Sequence, residues 1–102
     1  MARNQENVHV ARDWVEITGG DATVISFQIV SLEDREADGV YIRVTENSTA
    51  PTEVYGLLYQ PPYGELNRSV SDLAIGLSAP TRVWARAISN EVVVLQVSDD
   101  SA

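Results

Sequence analysis

The sequence predicts an all-β domain: a compact antiparallel β-sandwich, immunoglobulin-like or jelly-roll-like, of about six to seven short strands. Three observations predict it. Short runs alternate apolar and polar residues with the period of two of a pleated strand. Turn signals such as TGGDA (18–22) and the glycine-terminated loop ending at Gly39 separate those runs. No segment carries the 3.6-residue period of a long amphipathic helix.

The elements follow in order. Residues 1–7, MARNQEN, are polar and patternless and read as an arm, loose or docked on a neighbour. VHVARDWVEI (8–17) offers a first strand, irregular near Ala11–Asp13. TVISFQIVSL (23–32) is the strongest strand, with Ile25, Phe27 and Ile29 expected on the buried face. EDREADG breaks the pattern, and VYIRVTE (40–46) resumes it with Val40, Ile42 and Val44 inward. These two runs are expected to form a hairpin. Within RSVSDLAIGLSAP (68–80) a short helical turn capped by Ser69 or Ser71 is expected, because serine followed by an acidic residue favours a helix start. TRVWARAIS (81–89) and VVVLQVS (92–98) are expected to form a last hairpin, and the acidic tail 99–102 to fray. The domain is therefore placed at 8–98, between arm and tail.

Composition narrows the function. At 102 residues there is room for one core. The absence of cysteine excludes disulfides, thiolate catalysis and zinc–thiolate sites. The opening residues lack the apolar run of a secretory signal, and no stretch approaches the ~20 apolar residues of a membrane span. Net charge is −8, and the seven basic residues are all arginine. Neither nucleic acid nor membrane is an expected partner, since phosphate neutralisation supplies most nucleic-acid affinity.

Catalytic and metal signatures are weak. Asp34, Glu36, Asp38 and Gly39 echo the first half of a calcium loop, but the closing glutamate position falls on Thr45. A solvated loop is the simpler reading, and no metal is assigned. His9, the one histidine, reads as a surface residue at a strand edge. GLSAP around Ser78 lacks the second glycine of a nucleophile elbow. No enzyme activity and no cofactor are expected.

Aromatic residues carry more information. Trp14 and Trp84 are expected in or near the core, each N–H reaching a partner. TAPTEVYGLLYQPPYGELN (49–67) holds three of the four prolines and three of the four tyrosines. Proline cannot donate to a ladder, so EVYGLLYQ reads as an edge strand and PPYGE as its exit turn. Tyr55, Tyr59 and Tyr63, four residues apart, share one face at strand spacing. Rigid loops bearing tyrosine lose little entropy on binding, which suits an interface made of Pro51, Tyr55, Tyr59, Pro61, Pro62, Tyr63 and Glu65.

The run VISFQIVS…VYIRVTENSTAPT…GLLYQPPYGELN…SDL…TRVWARA…VVVLQVS resembles small virion-associated proteins of tailed bacteriophages. STAPT (48–52), the GxxxxPxxGE pattern from Gly56 to Glu65, RVWAR (82–86) and the valine-rich last strand carry the likeness. The resemblance implies a non-enzymatic structural protein of the virion, made in the bacterial host cytoplasm. It points to a capsid decoration (cement) protein that binds the major capsid protein or other virion proteins and forms a homo-oligomer. A tail or baseplate component is the alternative within that class. From another class comes a carbohydrate- or receptor-binding module, with the three tyrosines as a stacking platform.

Overall fold

β4 (Ala22–Val30) buries the side its alternation predicts, Ile25, Phe27 and Ile29, and β5 (Val40–Thr45) does the same with Val40, Ile42 and Val44. The computed structural model describes residues 2–4, 7–30, 39–53, 55–60, 64–74, 77, 79–88 and 92–101. The other strands are β1 (Ala2–Asn4), β2 (Val8–Val10), β3 (Val15–Glu16), β6 (Leu57–Tyr59), β7 (Gly64–Ser69), β8 (Arg82–Ala87) and β9 (Val93–Ser101). A 3-10 turn, Val70–Leu73, follows β7.

The strands pair in a nested series: β5 with β6, β4 with β7, β3 with β8, β2 with β9. The first half of the chain is thus zipped antiparallel to the second half as one long ribbon. Folding that ribbon over brings β9 against β4 and β8 against β5. Two sheets result, with orders β2-β9-β4-β7 and β3-β8-β5-β6. This wrapping is that of a jelly roll, and it decides between the two sandwich topologies left open above. Valine, isoleucine and alanine from both inner faces make the core, with Phe27 its largest side chain. Burying a side chain of that size contributes roughly 2–3 kcal/mol.

Neither expected hairpin forms. β4 lies in the first sheet and β5 in the second; β8 lies in the second and β9 in the first. Alternation fixes which face of a strand is buried but not which strand lies beside it, and here the chain crosses between sheets at both places. The same crossing divides VHVARDWVEI: β2 pairs with β9, and β3 pairs with β8. β7 was not anticipated, because GELNRS has a single large apolar residue, Leu66, and that residue is exposed. Ser69 occupies the N-cap of the 3-10 turn with extended backbone, but its hydroxyl lies 2.9 Å from that of Ser71 instead of capping a backbone N–H.

Both chain ends are drawn into the first sheet. β1 pairs with Ser98–Asp100 of β9, just beyond β2 on the same edge. Between Asn4↔Ser98 and Val8↔Leu95 the N-terminal side advances four residues and β9 three. The acidic tail also departs from expectation. Asp99 continues the inward face of Val93, Leu95 and Val97 and is 3% exposed. Its carboxylate accepts the Gly19 backbone N–H at 2.8 Å, tying the TGG turn to the end of β9. A buried carboxylate needs such a donor.

Candidate functional site

β8, RVWARA, sorts its side chains strictly. Val83, Ala85 and Ala87 point inward and are fully buried. Arg82, Trp84 and Arg86 therefore point out of the second sheet. Their cross-strand neighbours on β5 are Thr45, Arg43 and Tyr41, which also point outward. Leu58 of β6 stands opposite Tyr41 on the same face. Trp14, just before β3, lies with its ring 5.9 Å from the Arg86 guanidinium carbon, a cation–π contact. Tyr55 meets Tyr41 edge to face, centroids 5.6 Å apart. Both tryptophans, two of the four tyrosines and three of the seven arginines thus share one outer face.

The segment between β5 and β6 is folded across that face. Trp14 Nε1 donates to the Glu53 carbonyl at 2.8 Å, and the Glu53 carboxylate pairs with Arg43 at 2.8 Å. Trp14 stands at the β3 edge beside Arg86, and Arg43 on β5 beside Trp84, so Glu53 reaches across β8 between those two rows. That covering explains why Trp84, on an outer face, is only 8% exposed. Trp84 is buried, as expected of it, but under this segment instead of between the sheets. Its Nε1 donates to Thr45 Oγ1 at 2.8 Å, Thr45 Oγ1 donates to the Asn47 carbonyl at 2.6 Å, and Asn47 Oδ1 accepts the Thr49 N–H at 2.9 Å. The chain returns through Tyr55, whose carbonyl accepts from Arg43 Nη1 at 2.8 Å. Beside it runs an open groove of about 720 Å³, floored by β5 and walled by Pro51, Tyr55, Leu73 and Leu77.

Of the residues expected at an interface, the described ones, Pro51, Tyr55, Tyr59 and Glu65, do not all lie on one face. Pro51 is half-buried in the groove wall and Tyr55 is 69% exposed on the outer face. Tyr59 faces the other way, its ring edge-on to Phe27 at 5.0 Å and its hydroxyl donating to Glu65 at 3.1 Å. Glu65 is in turn bound by Arg68. Pro61, Pro62 and Tyr63 lie outside the described residues, as do Asp34, Glu36 and Asp38. Tyr55 and Tyr59 therefore occupy opposite faces of the second sheet and make no common stacking platform. Gly56 lies between them, and a Cβ there would collide with the Ile42 carbonyl oxygen. Only glycine permits so close an approach.

His9 is exposed on β2 opposite Val94. Among the described residues no three acidic or histidine side chains gather as a metal site. Arg82 bridges Glu16 at 2.7 Å and Asp21 at 2.8 Å, joining β3 and the following turn to β8.

The Tyr59 phenol is pushed up to about 12, first by burial, then by its hydrogen bond to Glu65 and that carboxylate's charge. Arg68 opposes the shift. Above the ordinary tyrosine value of ~10 the unfolded phenol ionises while the folded one keeps its proton. Stability from this group is whole below that pH and falls as pH rises toward the folded value. Urea midpoints measured from pH 9 to about 12 should decline less steeply in Tyr59→Phe than in the wild type. Parallel slopes would contradict this.

Comparison with known protein families, with curated proteins and with solved structures finds no match to this chain. The site rests on its own geometry. Sequence reasoning missed Tyr41, Arg43 and Leu58, and offered Arg82 and Arg86 only as ion-pair residues. The signal was present in RVWARA, where valine and two alanines at alternate positions mark the inward side and put the tryptophan outside.

Proposed function

We propose that this chain is a non-enzymatic structural protein that docks on the head shell of a tailed-bacteriophage virion through the outer face of its second sheet. The observation that carries the docking surface is the gathering of Trp14, Tyr41, Arg43, Tyr55 and Leu58 around the folded-over 46–56 segment. Tryptophan, tyrosine and arginine dominate binding energy at protein interfaces. Tyr55 and Leu58 are exposed while the groups behind them are fixed by hydrogen bonds and an ion pair. Such a surface loses little entropy when a partner arrives. The shell as partner rests on the STAPT, GxxxxPxxGE and RVWAR likeness. Jelly rolls are also common among capsid domains, which supports the reading by analogy of fold alone.

The test is quantitative mass spectrometry of purified virions carrying wild-type or Tyr55→Ala protein. A copy number near that of the major capsid protein is expected for the wild type. Tyr55→Ala should lower occupancy, with affinity about 10- to 30-fold weaker and the fold intact. A copy number at the level of tail proteins would move the site of attachment to the tail or baseplate. Absence from the particle would overturn the virion reading.

A further inference from the structure

We propose that β6 is a self-pairing edge, by which two copies of this chain join their second sheets into one continuous sheet across a twofold axis at Leu58. The inference concerns the backbone edge of β6 and does not depend on the shell being the docking partner, although the Leu58 side chain also belongs to the outer face.

The direction of the backbone groups comes from β5. Ile88 N–H donates to the Gly39 carbonyl and Thr81 N–H to the Thr45 carbonyl, so the odd-numbered residues of β5 address β8. Its even-numbered residues then address β6. Val40 is registered with Tyr59 and Ile42 with Leu57, so those two β6 residues spend their backbone groups on β5. Leu58 N–H and C=O point the other way, and β6 ends the sheet on that side.

This edge fits itself. An antiparallel copy centred on Leu58 makes Leu58 exchange two N–H···O bonds with its own counterpart, and places Gly56 opposite Gln60 on either side. Leu57 then stands opposite Tyr59 of the second copy. Leu57 and Leu58 are 45% and 53% exposed on the two faces of the strand, so each sheet face gains apolar contact.

Charge does not oppose it, although the chain carries −8. Residues 55–60, YGLLYQ, contain no charge, and the nearest ionic groups are internally paired as Arg43–Glu53 and Glu65–Arg68. Edge strands that must stay single are commonly kept very short or guarded by a charge, a proline or a bulge, and β6 is short, at three residues. β6 has no charge and no proline within it, and its three residues keep an unbroken register with β5. A second copy, which carries the same neutral apolar strand, is the occupant this edge suits.

Sedimentation equilibrium over micromolar to millimolar concentrations tests the proposal, with amide exchange at Leu58 followed at both ends of the range. A dimer is expected whose affinity falls about tenfold or more in Leu58→Lys, which sets like charges across the axis. Leu66→Lys, on the β7 edge of the other sheet and more exposed than Leu58, should leave it unchanged. The Leu58 amide should exchange more slowly as concentration rises, a readout in the wild type that stands even if a variant fails to fold. A wild-type monomer throughout, a dimer indifferent to Leu58→Lys, or Leu58 exchange independent of concentration would overturn the proposal.

Discussion

Gly64→Ala is expected to lower stability by about 3 kcal/mol, the upper end for inserting one methyl group into packed structure. Thermal unfolding should move down by roughly 12–24 °C, given 4–8 °C per kcal/mol for a domain near this size. Gly64 opens β7 opposite Gln28. A Cβ there would collide with the Phe27 carbonyl oxygen and stand 2.8 Å from the Gln28 Cα. Both are backbone atoms of β4, which is held on its two sides by β7 and β9. A flexible side chain could swing away, but a central strand yields only by breaking ladder bonds. Relief by shifting β7 is also costly, because Glu65, the next residue, accepts a hydrogen bond from the hydroxyl of Tyr59, whose ring packs on Phe27. Leu66→Ala, two residues along the same strand and 79% exposed, should change stability by less than about 0.5 kcal/mol. Chemical denaturation of the two variants side by side makes the comparison, and a Gly64→Ala midpoint equal to that of the wild type would refute it.

Much of the fold was legible because a pleated strand writes its buried face into the sequence at every second residue. Ile25, Phe27 and Ile29, and Val40, Ile42 and Val44, were placed inward from alternation alone, and EVYGLLYQ was placed at an edge by its prolines. What alternation does not encode is the neighbour. The nested ribbon sets β4 beside β7 and β9, partners 34 or more residues away. No local turn signal could specify that. Asp99 was misread for a related reason: a carboxylate near a chain end looks solvated until the Gly19 N–H, 80 residues earlier, is brought to it. The interface stretch was half legible. Its tyrosines were marked as contact residues, but Tyr55 meets Tyr41 on the outer face while Tyr59 meets Phe27 on the other, and alternation alone puts both on one face. The arginine and tryptophan half of the surface comes from a different part of the chain, and only the register of β8 on β5 shows that Arg43, Trp84 and Glu16 lie in one row.

That row gives the second large effect. Trp84→Ala is expected to lower stability by about 3–5 kcal/mol, as for other buried tryptophans. The more informative variant is Trp84→Phe. It keeps an aromatic ring under the 46–56 segment and removes the Nε1 donor to Thr45. Loss of one such hydrogen bond costs about 1–2 kcal/mol, so the phenylalanine variant should lie well above the alanine variant in stability. Its consequences should reach beyond stability. Thr45 passes the contact to the Asn47 carbonyl, and Asn47 holds the Thr49 N–H. Without the indole donor the start of the segment is less restrained, and the Thr49 amide should exchange with solvent faster than in the wild type. The far limb is held separately, by Arg43 on Glu53 and on the Tyr55 carbonyl. Exchange at Tyr55 should therefore change less than at Thr49. If docking uses the outer face, Trp84→Phe should weaken it less than Tyr55→Ala, because it loosens the support and leaves the contact residue in place. Equal exchange at Thr49 in Trp84→Phe and wild type would show that the Trp84–Thr45–Asn47 chain does not restrain the segment, and would leave Arg43 and Trp14 as its anchors.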